Sequence, residues 1–208
     1  MSALAKSVYD PTLLLANTGG GKKTSRAFLD GVLDKMVLIH DERGPGMFAF
    51  AAPYWRTGTT HVVNLVADEL VRRYRCTVAV MPTAALKESS PSDLPQGFLE
   101  RSPGVYAAAS DAELHHLSDA ALEKVWIRPA ARDFDFILVD CPALLCGAQA
   151  LQWTNAADGV FLVVAAGQTH VNQIEEAQRL LKDSGSRLEG IVLNRRSYPI
   201  PELLYKLL

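Results

Sequence analysis

The stretch MFAFAAPYWRTGTT, Met47 to Thr60, decides the reading of this chain. Its first six residues are apolar without polar alternation, as in a strand buried on both faces. Thr60 to Tyr74 then repeats apolar residues every three or four positions, the period of an amphipathic helix. Strand, tight loop and helix in that order form the setting of a phosphate-binding loop, G-x-x-x-x-G-K-[ST]. There, backbone N–H groups surround the phosphates, Lys reaches the outer ones and the hydroxyl meets Mg²⁺. Aligning Gly58 with the last glycine puts Thr60 on the hydroxyl position. It also puts Thr59 where Lys should stand and Pro53 where the first glycine should be. The context fits and the letters do not.

A second glycine-rich stretch, LLLANTGGGKKTSRAF (Leu13 to Phe28), has the letters in the wrong order. Gly21-Lys22 is followed by Lys23 rather than a hydroxyl, and the residue five before Gly21 is Ala16. Residues 1–24 are expected to form a flexible basic arm, and residues 25–208 a single domain.

Other short apolar runs are Thr77–Met81, Val105–Ala108, Phe136–Val139, Val160–Ala165 and Gly190–Leu193. Helical spacing marks Arg26–Met36, Val171–Leu181 with Thr169 or His170 near its start, and the turns from Pro201 to Leu208. Ser110 with Glu113 has capping-box spacing and opens a helix towards Leu117. Strands alternating with helices predict an α/β fold: a doubly wound, mostly parallel sheet flanked by helices in three layers. Ligands in such folds bind at the carboxyl ends of the strands.

Composition is that of a globular protein, with 208 residues, 49% of them hydrophobic and a net charge of −2. That balance gives no call for a nucleic-acid partner. Cys76, Cys141 and Cys146 lack metal-ligand spacing and no disulfide framework is implied, which suits a reducing cytoplasm. No apolar run is long enough for a membrane span. His115 and His116 are adjacent on a helix and point apart, a poor metal pair. Trp126 and Trp153 read as core or interface residues. Trp55 either stacks on a base or plugs the phosphate space.

Several segments together resemble the bacterial tyrosine kinases of capsule and exopolysaccharide synthesis, within the wider MinD/ParA-like group of P-loop ATPases. FDFILVDCPALL (Phe134 to Leu145) is similar to that family's Y-D-h-h-h-h-D-T-P-P segment, where h is hydrophobic. ADGVFLVV (Ala157 to Val164), LEGIVLNR (Leu188 to Arg195) and PIPELLYKLL (Pro199 to Leu208) follow in the family's order. The resemblance implies a P-loop NTPase-like, Rossmann-like sandwich with a nucleotide site at Arg56, Thr57, Gly58, Thr59, Thr60, Asp140 and Asn194.

Asp140 falls on the Walker B position, holding a Mg²⁺-bound water or capping the next turn. Asn194 falls on the base-contacting asparagine, or satisfies local backbone as a turn residue. Thr60 ligates Mg²⁺ or serves as a plain helix N-cap. Pro82 and Ala84 stand where the family's second acidic strand carries two aspartates. With Thr59 in the lysine position, the resemblance implies a degenerate member with weak or absent binding of ATP or ADP with Mg²⁺. Arg56 is the candidate substitute cation. The tyrosine-rich tail is reduced to Tyr198 and Tyr205, and the E-x-x-R-x-x-R pattern of the oligomerisation helix is absent from Arg26–Met36.

The implied role is a regulatory or scaffolding module at the cytoplasmic face of the cell membrane. Its implied partner is a membrane-embedded polysaccharide co-polymerase or export protein, with homo-oligomer formation left open. The alternatives are a divergent ATPase or autokinase using Thr60, Asp140 and Asn194, and a MinD/ParA-like positioning ATPase.

Overall fold

The computed structural model describes residues 13–14, 29–82, 98–108 and 133–195. Strand β1 is Leu13–Leu14 and helix α1 Asp30–Arg43; β2, Gly46–Ala52, leads into α2, Thr59–Tyr74. β3 (Val78–Pro82), β4 (Phe98–Ser102) and β5 (Val105–Ala108) follow. β6, Phe136–Ala143, runs through a single 3₁₀ turn, Leu144–Cys146, into α3, Gln149–Ala156. β7 (Gly159–Ala165), α4 (Val171–Asp183) and β8 (Leu188–Asn194) complete the described chain.

These strands form one eight-stranded sheet in the order β1-β8-β7-β2-β6-β3-β5-β4. Neighbours are parallel except β4, which runs antiparallel to β5. The expected doubly wound sheet is therefore present. Its strands read as continuous apolar runs because both faces are covered, so alternation sorts residues between two cores. Met47, Ala49 and Ala51 of β2 pack with Trp153 of α3 and Ala177 and Leu181 of α4. Phe48 and Phe50 pack instead with Leu33 and Met36 of α1 and Val63, Val66 and Leu70 of α2. Each fully buried Phe, Leu, Met or Val among these stabilises the fold by roughly 1.5–3 kcal/mol.

Local signals set the helix ends. Gly44 closes α1 at φ 84°, with its N–H on the His40 carbonyl at 2.7 Å. His170 opens α4 in a capping box with Gln173, as its position in the sequence suggested. Glu69 of α2, buried in the helix pair, accepts hydrogen bonds from Arg72 and Arg73, and Arg73 also pairs with Asp30 of α1.

Two residues of the expected N-terminal arm belong to the sheet. Leu13 and Leu14 pair in parallel with Ile191 and Val192 of β8, which corrects the arm reading there. The helices expected at Ser110–Leu117 and Pro201–Leu208, and Ala84, His115, His116, Trp126, Tyr198 and Tyr205, lie outside the described residues. So do Arg26 to Phe28; the helix expected from Arg26 is described from Asp30 and runs past Met36 to Arg43. Trp153 is core, 3% exposed. Among the described residues no helix is long and apolar enough to cross a membrane.

Candidate phosphate-binding site

The parallel strands bring the ends of β2, β3, β6 and β8 to one edge of the sheet. From Ala52 the chain turns through Pro53–Gly58 into α2. Two residues of this loop take the left-handed region, Arg56 at φ 65° and Gly58 at φ 85°. For arginine that conformation costs roughly 1–2 kcal/mol. Gly58 is required twice over: besides its φ, a Cβ there would lie 2.4 Å from the Asn194 side-chain nitrogen.

Both ends of the loop are tied down. The Leu145 N–H donates to the Pro53 carbonyl at 3.1 Å. Asn194, 1% exposed at the end of β8, donates its Nδ2 to the Thr57 carbonyl at 2.7 Å. The first turn of α2 opens beyond the loop, and helix-start N–H groups with the positive end of the helix dipole suit an anion.

Strand alternation aims the next residue. Phe136 and Leu138 of β6 face α2, so Asp140, two residues on, does too. Asp140 pairs with Phe50 of β2, and the register then shifts so that Ala52 meets Ala143. This bulge falls directly after the aspartate, where bulges commonly re-aim a side chain. The Thr60 hydroxyl donates to Asp140 Oδ2 at 2.6 Å. Burial raises the Asp140 carboxyl above its ordinary range, and the Thr60 hydrogen bond works against that rise.

A cavity of about 430 Å³ opens between these elements, lined among others by Trp55, Arg56, Thr59, Thr60, Asp140 and Arg195. Thr57 and Gly58 complete its loop wall. Thr59, at the lysine position, has its hydroxyl 3.0 Å from that of Thr57, so it is turned back on the loop. Thr60 and Asp140 offer hard oxygen donors that fit Mg²⁺, and a cation there would offset the cost of the buried carboxylate. Among the described residues no group of three or more His, Cys, Asp or Glu converges on a metal position. Phosphate oxygens and water would therefore have to complete the shell of a Mg²⁺ ion.

Six of the seven expected site residues line this cavity. Asn194 does not: its amide is spent on the Thr57 carbonyl, so it acts as a latch between β8 and the loop rather than as an open base contact. Thr60 is no N-cap, because Gly58 holds that position and the hydroxyl goes to Asp140. Trp55 is 61% exposed and leaves the cavity open, which sets aside the plug. Pro82 pairs in register with Asp140, so the position expected to carry a family carboxylate does lie beside the site. Arg195 was missed. Its neighbour Asn194 marked the strand end, but the arginine reaches the cavity through a left-handed turn at φ 59° that composition does not announce.

No protein-family model matches the chain. Two relatives are named for the same activity. Tyrosine-protein kinase CpsD of Streptococcus agalactiae serotype Ia is 39% identical over 64 residues, 31% of this chain and 28% of that protein. Tyrosine-protein kinase YwqD of Bacillus subtilis is 31% identical over 77 residues, 35% of this chain and 32% of that protein. Over these stretches the chain is similar to bacterial tyrosine kinases. Its matched stretch spans about a third or less of these kinases' own length.

Solved kinase domains share the fold over most of the chain. The kinase domain of the Escherichia coli tyrosine kinase ETK superposes with TM-score 0.62 at 16% identity, covering 86% of this chain and 77% of that one. The VpsO kinase domain gives 0.64 at 17% identity, covering 84% and 98%. Cobyrinic acid a,c-diamide synthase of Mycobacterium smegmatis, solved with ADP and magnesium, gives 0.55 at 16% identity over 72% of each chain. At such identities these likenesses establish a shared fold and leave the chemistry to this chain's own residues.

Proposed function

We propose that this tyrosine-kinase relative is a degenerate module of capsule or exopolysaccharide assembly that does not transfer phosphoryl groups. One observation carries the reading: Thr59 occupies the lysine position of the loop and turns its hydroxyl onto Thr57. Phosphoryl transfer depends almost entirely on positioned charge, and a neutral, inward-turned side chain supplies none. The pairing of Pro82 with Asp140 supports it, since proline accepts no proton where the resemblance calls for a carboxylate. On this reading the module binds nucleotide weakly and acts by docking at the inner face of the membrane, on a polysaccharide co-polymerase or export protein.

The retained Thr60–Asp140 hydrogen bond favours a second reading, a divergent ATPase or autokinase with Arg56 as its cation. One experiment separates them. Titrate ATP and ADP with Mg²⁺ into the protein and into Thr59→Lys by calorimetry, and follow ATP turnover in the same samples. Restoring a charged hydrogen bond should tighten ATP about ten-fold or more, with no turnover by the unaltered protein. Turnover by the unaltered protein that Asp140→Ala abolishes would sink the degenerate reading. Co-purification with a membrane-embedded co-polymerase is expected, and its failure would count against the docking role.

A further inference from the structure

We propose that Arg195 supplies the cation of this cavity, in place of the lysine that Thr59 replaces, and that the cavity takes a ligand bearing a pyrophosphate group. The inference rests on reading the loop as a phosphate site without turnover.

Arg195 lines the cavity together with the Pro53–Gly58 loop and the first residues of α2. Its Nε lies 3.7 Å from where a Cβ on Gly58 would stand, so the guanidinium rests against the loop one residue before Thr59. Its direction is built in. The Arg195 N–H donates to Asn194 Oδ1 at 2.8 Å, while Nδ2 of the same asparagine holds the Thr57 carbonyl. A single buried side chain thus fixes the loop and the arginine relative to each other. Gln168, in the turn between β7 and α4, accepts from Arg195 Nη1 at 3.2 Å and orients one edge of the guanidinium plane.

The chemistry of the ligand follows from what surrounds the space. Loop and helix-start N–H groups favour phosphate oxygens, and a guanidinium fork meets a phosphate through two parallel hydrogen bonds. Thr60 and Asp140 form a second pole, suited to a Mg²⁺ ion shared with a neighbouring phosphate. The cavity of about 430 Å³ has room for either one phosphate or two, and one pole for a phosphate with another for its Mg²⁺-bound neighbour matches two linked phosphates better than one. Free pyrophosphate and a nucleoside diphosphate share this group.

The test is calorimetry on the full chain with Mg²⁺, using inorganic phosphate, pyrophosphate, ADP and ATP as separate ligands. Arg195→Gly removes the guanidinium while tolerating the left-handed backbone, and Arg195→Gln keeps the bulk without the charge. Pyrophosphate and ADP should bind the unaltered protein at millimolar ligand. Both Arg195 variants should bind about ten- to a hundred-fold more weakly, with ligand-free thermal midpoints within about 2 °C of the parent. Arg56→Gln should change affinity by less than about three-fold, since among the described residues no hydrogen bond orients its guanidinium as Gln168 orients that of Arg195. Tighter binding of ADP than of pyrophosphate would add a nucleoside contact and keep the assignment; equal binding would confine recognition to the diphosphate and keep it too. Unchanged affinity in both Arg195 variants, no binding of any ligand, or inorganic phosphate binding as tightly as pyrophosphate would overturn it. ATP turnover in the same samples reports separately on the absence of phosphoryl transfer.

Discussion

Glu69 and Asp140 sit on opposite sides of the boundary between α2 and the sheet, the first buried between helices and the second half-buried at the wall of the cavity. Glu69 is 3% exposed; burial alone would raise its carboxyl, but hydrogen bonds from Arg72 and Arg73 outweigh it and hold it below the usual carboxylate range. Asp140 meets the Thr60 hydroxyl, and there burial wins and the carboxyl rises. The first charge is neutralised within the fold and braces α1 against α2. The second is held at a cost that a bound cation would relieve. The structural carboxylate and the carboxylate of the candidate site are told apart here by what they meet.

The largest test of that contrast is Glu69→Ala. It leaves two guanidinium groups without their shared partner, and unfolding in urea should show a loss of about 2–4 kcal/mol, the exposed side of Arg72 keeping it from the top of the range for buried pairs. Next comes Gly58→Ala, which breaks the candidate site through shape rather than charge. A side chain at φ 85° that also meets Asn194 should cost about 1–3 kcal/mol by the same measurement, and should abolish binding in the cavity.

The smallest effect and the sharpest is on pH dependence. A carboxyl lowered by folding contributes stability above the ordinary range, which is lost as pH falls through its folded value. Glu69 belongs to that class. A carboxyl raised by folding contributes stability below the ordinary range, which is lost as pH rises through its folded value. Asp140 belongs to that one. Asp140→Asn should therefore raise the ligand-free thermal midpoint near neutral pH and lose that advantage in acid, whereas Glu69→Gln should lower it near neutral pH and converge on the parent in acid. Parallel curves for the two variants would break the contrast.

Sequence reading found the elements whose character is local. β2, β5, β7 and β8 are apolar runs that need no partner to be recognised, and α2 carries a full helical period. β4 was missed because FLERS has two apolar residues and three polar ones, and becomes a strand by pairing with β5. α3 was missed because an eight-residue helix burying only Ala150, Trp153 and Thr154 is too short to show a period. β6 runs past Val139 to Ala143 because pairing with β2 resumes beyond the bulge.

The site divides in the same way. Thr60 and Asp140 were legible from motif position. The latch of Asn194 spans 137 residues of sequence to one carbonyl, and the reach of Arg195 depends on its own left-handed backbone. Neither leaves a pattern in a linear reading.

β4 has a consequence of a different kind. Among the described strands it is the outermost on its side of the sheet, with Glu100 and Arg101 both exposed, and Arg101 is stapled to Asn64 and Asp68 of α2. A strand from another molecule approaching this rim would have to strip water from both charges, and would find the arginine already engaged. The rim is a terminator: it ends the ladder at a fixed width and opposes the open-ended stacking by which exposed strands grow into fibres.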